Sequence, residues 1–135
     1  INGPQDLIGC GSCYENYEVL CTEALDIKRE WRGFMLYDEL VDIRPYKGDY
    51  HYCYDPKVID CVVAAFRTIP NRPMGCSIDF AAIVKDGKEQ TIFLEMNDGY
   101  ALGNYGLYAL HYAKLISARW AQLLNREDAF DFRSI

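Results

Sequence analysis

The segment CSIDFAAIVKDGKEQTIFLEMNDGY, Cys76 to Tyr100, places two apolar runs on either side of Lys85-Asp86-Gly87-Lys88. This is the pattern of a β-hairpin, because Asp-Gly supplies the positive φ angles that tight hairpin turns need. The second run ends oddly. Thr91-Ile92-Phe93-Leu94 is strand-like, yet Glu95, Asn97 and Asp98 crowd its terminus, and a loop with Gly99, Gly103 and Gly106 follows at once. One Asp-Gly would end a strand. Glu95, set between Leu94 and Met96, is costly to hold in an apolar setting unless something pairs with it.

Side chains two apart on a strand share a face, so Glu95 and Asn97 point the same way. Asp79, on the partner strand, joins them in only one of two registers. A two-residue Asp86-Gly87 loop pairs Asp79 with Leu94 and sends Glu95 to the opposite face. A three-residue loop, Lys85 to Gly87 with Gly87 in a left-handed bulge, pairs Asp79 with Phe93 and makes Glu95 its diagonal neighbour. That second register gathers two carboxylates and an amide oxygen. Such a set suits Mg²⁺, a hard ion whose other positions go to water and substrate phosphates. No Cys or His stands here for a softer metal. The competing reading is plainer: solvated edge acids and an ordinary Asn-Asp-Gly turn.

Working outward, EWRGFMLY (30–37) and LVDIRPY (40–46) flank Asp38-Glu39 and form a second hairpin. Glu18 to Leu25 is expected to be a short strand. Asp55-Pro56 offers an N-cap and a proline for the first helical position. Val58, Ile59, Val62, Val63 and Phe66 follow at helical spacing, which predicts a helix to about Thr68. A longer helix is expected over 108–124, with Tyr112, Leu115, Ile116, Trp120 and Leu123 on its inner side. Residues 1–17 have the composition of a loop or a torn end, 18–124 of one domain, and 125–135 of a charged tail. The order β-ββ-α-ββ-α predicts an α+β fold, an antiparallel sheet with the helices packed on one face.

With 135 residues and a net charge of −6, the chain is large enough for one core and has no run of Lys and Arg suited to nucleic acid. No apolar run reaches membrane-spanning length and no signal pattern opens the sequence, so a cytoplasmic protein without membrane contact is expected. Among six cysteines only Cys10-Gly-Ser-Cys13 has a suggestive spacing. A zinc site would need a second matched pair, so free thiols are expected. His51 and His111 have no partner pattern and are expected to be structural.

The hairpin segment resembles the metal-binding hairpin of the ATP-grasp superfamily, in which an Asp on one strand and Glu-x-Asn at the end of the next hold the magnesium ions of ATP. Asp79, Glu95 and Asn97 match those positions. EALDIKREWRGFMLYDELVDIRPY (23–46) is similar to the family's hinge and following hairpin. The likeness spans about residues 19 to 124 and extends to a clade named for one arginine and two lysines, through Glu-Trp-Arg and Asn-Asp-Gly-Tyr segments.

The resemblance implies the C-terminal half of an ATP- and Mg²⁺-dependent ligase, which joins a carboxylate to an amine, of small molecules or peptides, through an acyl-phosphate. It implies adenine at Glu23, Ala24 and Asp26, and ribose at Glu30. Arg32 and Arg44 would meet phosphate or the acyl group, and the loop with Asp98, Gly99, Tyr100, Gly103 and Tyr105 would shape the acceptor site. One position departs. The arginine that many members carry two residues before the hairpin Asp is here Ser77. The family's N-terminal domain and first nucleotide-gripping half are not in these residues, so they are expected in cis or in trans. The alternative is a non-catalytic interaction module with the same fold.

Overall fold

Two antiparallel hairpins lie side by side to make one four-stranded sheet. In the computed structural model the described residues are 22–131, with Gln5 and Glu18. The CGSC segment, 10–13, lies outside them. The elements are β1 (Ile27–Leu36), β2 (Glu39–Gly48), α1 (Pro56–Arg67), β3 (Gly75–Lys85), β4 (Lys88–Asp98) and α2 (Ala109–Leu123). All neighbours are antiparallel and the spatial order is β2-β1-β3-β4. The strand expected before the first hairpin is absent over 22–26, which is irregular, and residues 19–21 lie outside the described set.

The local signals act as their chemistry requires. Asp55 caps α1 by accepting from the Lys57 amide at 2.9 Å, and Pro56 opens the helix. The helix ends at Arg67, and the Thr68 hydroxyl turns back to the Ala65 carbonyl at 2.7 Å. In the second hairpin, Asp86 (φ 54°) and Gly87 (φ 72°) both take positive φ, the two-residue turn that matches strand twist.

The helices flank opposite faces of the sheet, not one. Ile59, Val63 and Phe66 of α1 pack with Met35, Cys76, Ile78 and Phe80. Leu115 of α2 packs with Phe34 and Leu107, joined by Leu102, Tyr112 and Ile116. Phe34 and Met35 are consecutive on β1, so they point to opposite faces and each needs its own cover. The central strands are apolar on both sides, since β1 is buried from Glu30 to Met35 and β3 from Gly75 to Ile83. Such strands need a layer on each face.

α2 makes its contact through Leu115 and Ala118, while Trp120 and Leu123, expected to point inward, are about half exposed. The reason is close approach: a Cβ on Gly75 would lie 2.3 Å from the Leu115 carbonyl oxygen, which leaves room only for small groups. Beyond α2, Asp128 accepts from the Ser117 hydroxyl at 2.7 Å and from the Tyr37 hydroxyl. That part of the expected tail is therefore docked on the domain. Among the described residues no helix is long and apolar enough to cross a membrane.

Candidate functional site

The register of the second hairpin decides where Glu95 goes. From the turn, pairing runs regularly through Lys85↔Lys88 to Phe80↔Phe93, then shifts so that Asp79 stands opposite Glu95. Leu94 is the extra residue of a β-bulge. The loop has two residues, contrary to the three-residue loop that would have made Glu95 a diagonal neighbour, and the bulge corrects the face instead. Without it, Glu95 would stand opposite Ile78, whose side chain belongs to the α1 core. A carboxylate there would be desolvated with no partner, a cost that exceeds one disrupted rung of the ladder.

One polar row therefore crosses the sheet on the face away from α1. Arg44 stands opposite Arg32, Arg32 opposite Asp79, and Asp79 opposite Glu95. Arg32 donates from Nε to Asp79 Oδ1 at 2.9 Å and from a terminal nitrogen to Oδ2 at 2.7 Å. Asp79 is fully buried, and the Arg32 side chain is 10% exposed. The bond to Asp79 raises the Arg32 pKa against the opposing pull of burial. Arg44 turns to its own strand and pairs with Asp42 at 2.7 Å, so of the two arginines only Arg32 engages the acids.

Glu95 is exposed and has no cationic partner among the described residues. Asn97 gives its amide nitrogen to Glu95 at 3.0 Å and reaches toward Asp79 at 3.5 Å. An N–H group between two carboxylates marks that space as one for positive charge. Asp79 keeps a second lone pair on each oxygen after serving Arg32. The donors Asp79, Glu95 and Asn97 are hard oxygen ligands that fit Mg²⁺. Among the described residues no three His, Cys, Asp or Glu side chains cluster as a metal centre. A cation held here would draw its other ligands from water and phosphate. Ser77, at the departing position, is buried opposite Asn97, its hydroxyl unpaired among the described residues.

Glu30 lies two residues before Arg32, on the same face and buried. The Tyr46 hydroxyl donates to its Oε2 at 2.9 Å, and Lys47 Nζ stands 2.8 Å from Oε1. Burial first, then the bond to Glu30, pushes the Tyr46 phenol well above its ordinary value. Tyr105 stacks on Tyr46 with centroids 4.8 Å apart and covers Arg32, whose guanidinium carbon is 5.0 Å from the ring centre.

The other expected residues divide. Glu23 pairs with Lys85 at 3.0 Å and Asp26 with Lys28 at 2.7 Å, while the Asp26 carbonyl accepts from Val84 N. These contacts lay the segment holding Ala24 along the end of β3. In the loop, only Tyr105 reaches the polar row. Asp98 binds Arg119 of α2 through both oxygens, at 2.7 and 2.6 Å. A Cβ on Gly99 would lie 2.1 Å from the Gly75 carbonyl oxygen, so that close approach serves the chain itself. Tyr100 meets Trp120 edge-on, and Gly103 sits by the Tyr105 ring. Tyr46 and Lys47 were not singled out from the sequence, because nothing local distinguishes them from solvated strand residues.

A family model for the ATP-grasp domain matches residues 1–115; it describes family 2 of the clade named for one arginine and two lysines. No curated protein and no solved structure matches the chain.

Proposed function

The chain belongs to the ATP-grasp superfamily, in the second family of the one-arginine, two-lysine clade, and from that premise we propose that it is part of an ATP- and Mg²⁺-dependent ligase joining a carboxylate to an amine. The observation that carries the proposal is the polar row, with Asp79 opposite Glu95, Asn97 between them and Glu30 two residues along from Arg32 on the same face. A strand rises about 3.3 Å per residue, so Glu30 lies roughly 7 Å from Arg32 along β1. That spacing suits a ribose acid beside a phosphate site.

In this reading Mg²⁺ supplies charge neutralisation on the ATP phosphates when bound. The chain's own residues do the positioning that phosphoryl transfer chiefly requires. Asp79, Glu95 and Asn97 would hold the ion. Arg32, fixed by Asp79, keeps one terminal nitrogen for an anion. Arg44 would reach phosphate or acyl oxygen only after leaving Asp42. Backbone near Ala24 would meet adenine. Tyr105 would border the acceptor, whose amine displaces phosphate from an acyl-phosphate. The remaining nucleotide-gripping lobe would come in cis or in trans, and the setting would be cytoplasmic.

One observation favours the second reading, a non-catalytic module: both Asp79 oxygens are already engaged by Arg32. ATP turnover by the complete protein, in the presence of Mg²⁺ and a panel of carboxylates and amines, separates the two. Turnover that Glu95→Gln abolishes supports the ligase. Turnover unaltered by Glu95→Gln in a folded protein removes the metal hairpin from the reaction.

A further inference from the structure

The pairing of β1 with β2 shifts between Glu30↔Lys47 and Trp31↔Pro45. Tyr46 is the extra residue, so the bulge sets two residues, Tyr46 and Lys47, against the single acid Glu30. Each takes a different oxygen, Tyr46 the Oε2 and Lys47 the Oε1. Their surroundings differ. The Tyr46 ring is half-buried, stacked on Tyr105 and 5.8 Å from the Arg32 guanidinium. The Lys47 side chain is 72% exposed and free to swing away. One partner of Glu30 is fixed and one is exchangeable. When Lys47 leaves, Oε1 offers both its lone pairs, the acceptor capacity that a vicinal diol, with two O–H donors, would use.

We propose that Tyr46 is a positioning residue that fixes Glu30 for recognition of the ribose diol, and that its ring ties this acid to Tyr105 above Arg32. The inference rests on the ATP-ligase reading of the site. It makes Tyr46 responsible for discrimination between ribo- and deoxyribonucleotide, a property that packing alone would not affect. Bulges commonly re-aim a side chain in this way beside functional sites. Loss of the hydroxyl, with the ring retained, would leave Oε2 without its fixed donor and let the carboxylate turn.

The test is equilibrium binding of Mg·ATP and Mg·2′-deoxy-ATP to the complete protein, comparing wild type, Tyr46→Phe and Glu30→Gln. Wild type is expected to prefer ATP. Tyr46→Phe is expected to weaken ATP about tenfold, the scale of one hydrogen bond to a charged group, and 2′-deoxy-ATP much less. A wild-type ratio of the two affinities in folded Tyr46→Phe overturns the proposal. If Glu30→Gln collapses the ratio while Tyr46→Phe does not, only the role of Tyr46 falls. If wild type shows no preference, or Glu30→Gln preserves it, the ribose assignment falls as well.

Should Tyr46→Phe fold poorly, difluorotyrosine at position 46 keeps the ring and lowers the phenol pKa. The groups facing that phenol are Glu30 and Arg32 of β1, Lys47 of β2, Asp79 of β3 and Tyr105 of the loop. Preference for ATP should then fade as pH rises through the fluorophenol pKa, while wild type, whose phenol stays protonated, does not change. A flat ratio in both proteins refutes the proposal.

Discussion

Arg32 grips Asp79 with two parallel hydrogen bonds across adjacent strands, at 2.9 and 2.7 Å, in the middle of the sheet. The pair fills the place where a carboxylate alone would be desolvated, and it orients the acid toward Glu95. Removing one partner strands the other charge.

Arg32→Ala is therefore expected to destabilise the domain by about 3–5 kcal/mol in urea unfolding, because the Asp79 carboxylate stays buried without its cation. The double change Arg32→Met with Asp79→Leu should recover most of that loss, since apolar groups of similar volume replace a buried pair at little net cost. A double variant no more stable than Arg32→Ala would show that the pair has a structural role beyond charge balance.

Glu95→Gln should behave in the opposite way. Glu95 is exposed and, among the described residues, bonds only with Asn97, so the ion-free protein should keep its thermal midpoint. ATP turnover should fall on the order of 10²-fold, because placement of the ion sets both phosphate orientation and neutralisation. Lys88→Ala, at the far end of the hairpin, should leave turnover unchanged. Equal losses in the two variants would break the link between Glu95 and the ion.

Acid should weaken the anchor between β4 and α2. The hydrogen bonds from Arg119 hold the Asp98 carboxyl below the usual carboxylate range. A folded-state pKa lowered in this way contributes stability at pH values above the unfolded value, about 3.9. The contribution is lost as pH falls from there through the lower folded value. Asp98→Asn should therefore cost stability near neutrality, on the order of 1 kcal/mol for a partly exposed pair. It should also flatten the dependence of the unfolding midpoint on pH below about 4. A wild-type slope in Asp98→Asn would assign the acid sensitivity elsewhere.

Gly99→Ala should destabilise the protein by about 3 kcal/mol or more, the upper range for overpacking, because its Cβ would collide with Gly75 backbone at 2.1 Å. Gly87→Ala meets nothing within 4 Å and should cost only its left-handed strain, about 1–2 kcal/mol. Calorimetry of the two variants ranks them, and the reverse order would mean that the loop after β4 yields.

Much of the fold is legible because some devices complete themselves within a few residues. Asp55-Pro56 caps and opens α1 with groups only two positions apart, and Asp86-Gly87 takes its positive φ angles whatever the strands beyond it do. Two alternating apolar runs around such a turn make a hairpin, and the pairing of hairpins follows from the need to bury their apolar sides. The acids Asp79 and Glu95 are visible as candidates for the same reason, since a carboxylate in an apolar strand needs a partner.

The tertiary structure decided what depends on a distant strand. Leu94 becomes the bulge only because Glu95 would otherwise face the α1 core opposite Ile78, and nothing within residues 91–98 reveals which core lies there. Tyr46 is thrown toward Glu30 by a second bulge whose position depends on the pairing of β1 with β2. The placement of α1 and α2 on opposite faces follows from Phe34 and Met35 both being buried, a fact about two layers at once. Composition and turn chemistry determine elements through local bonds. Register, bulge and face are chosen by desolvation of side chains brought together from 47 positions apart, as Arg32 and Asp79 are.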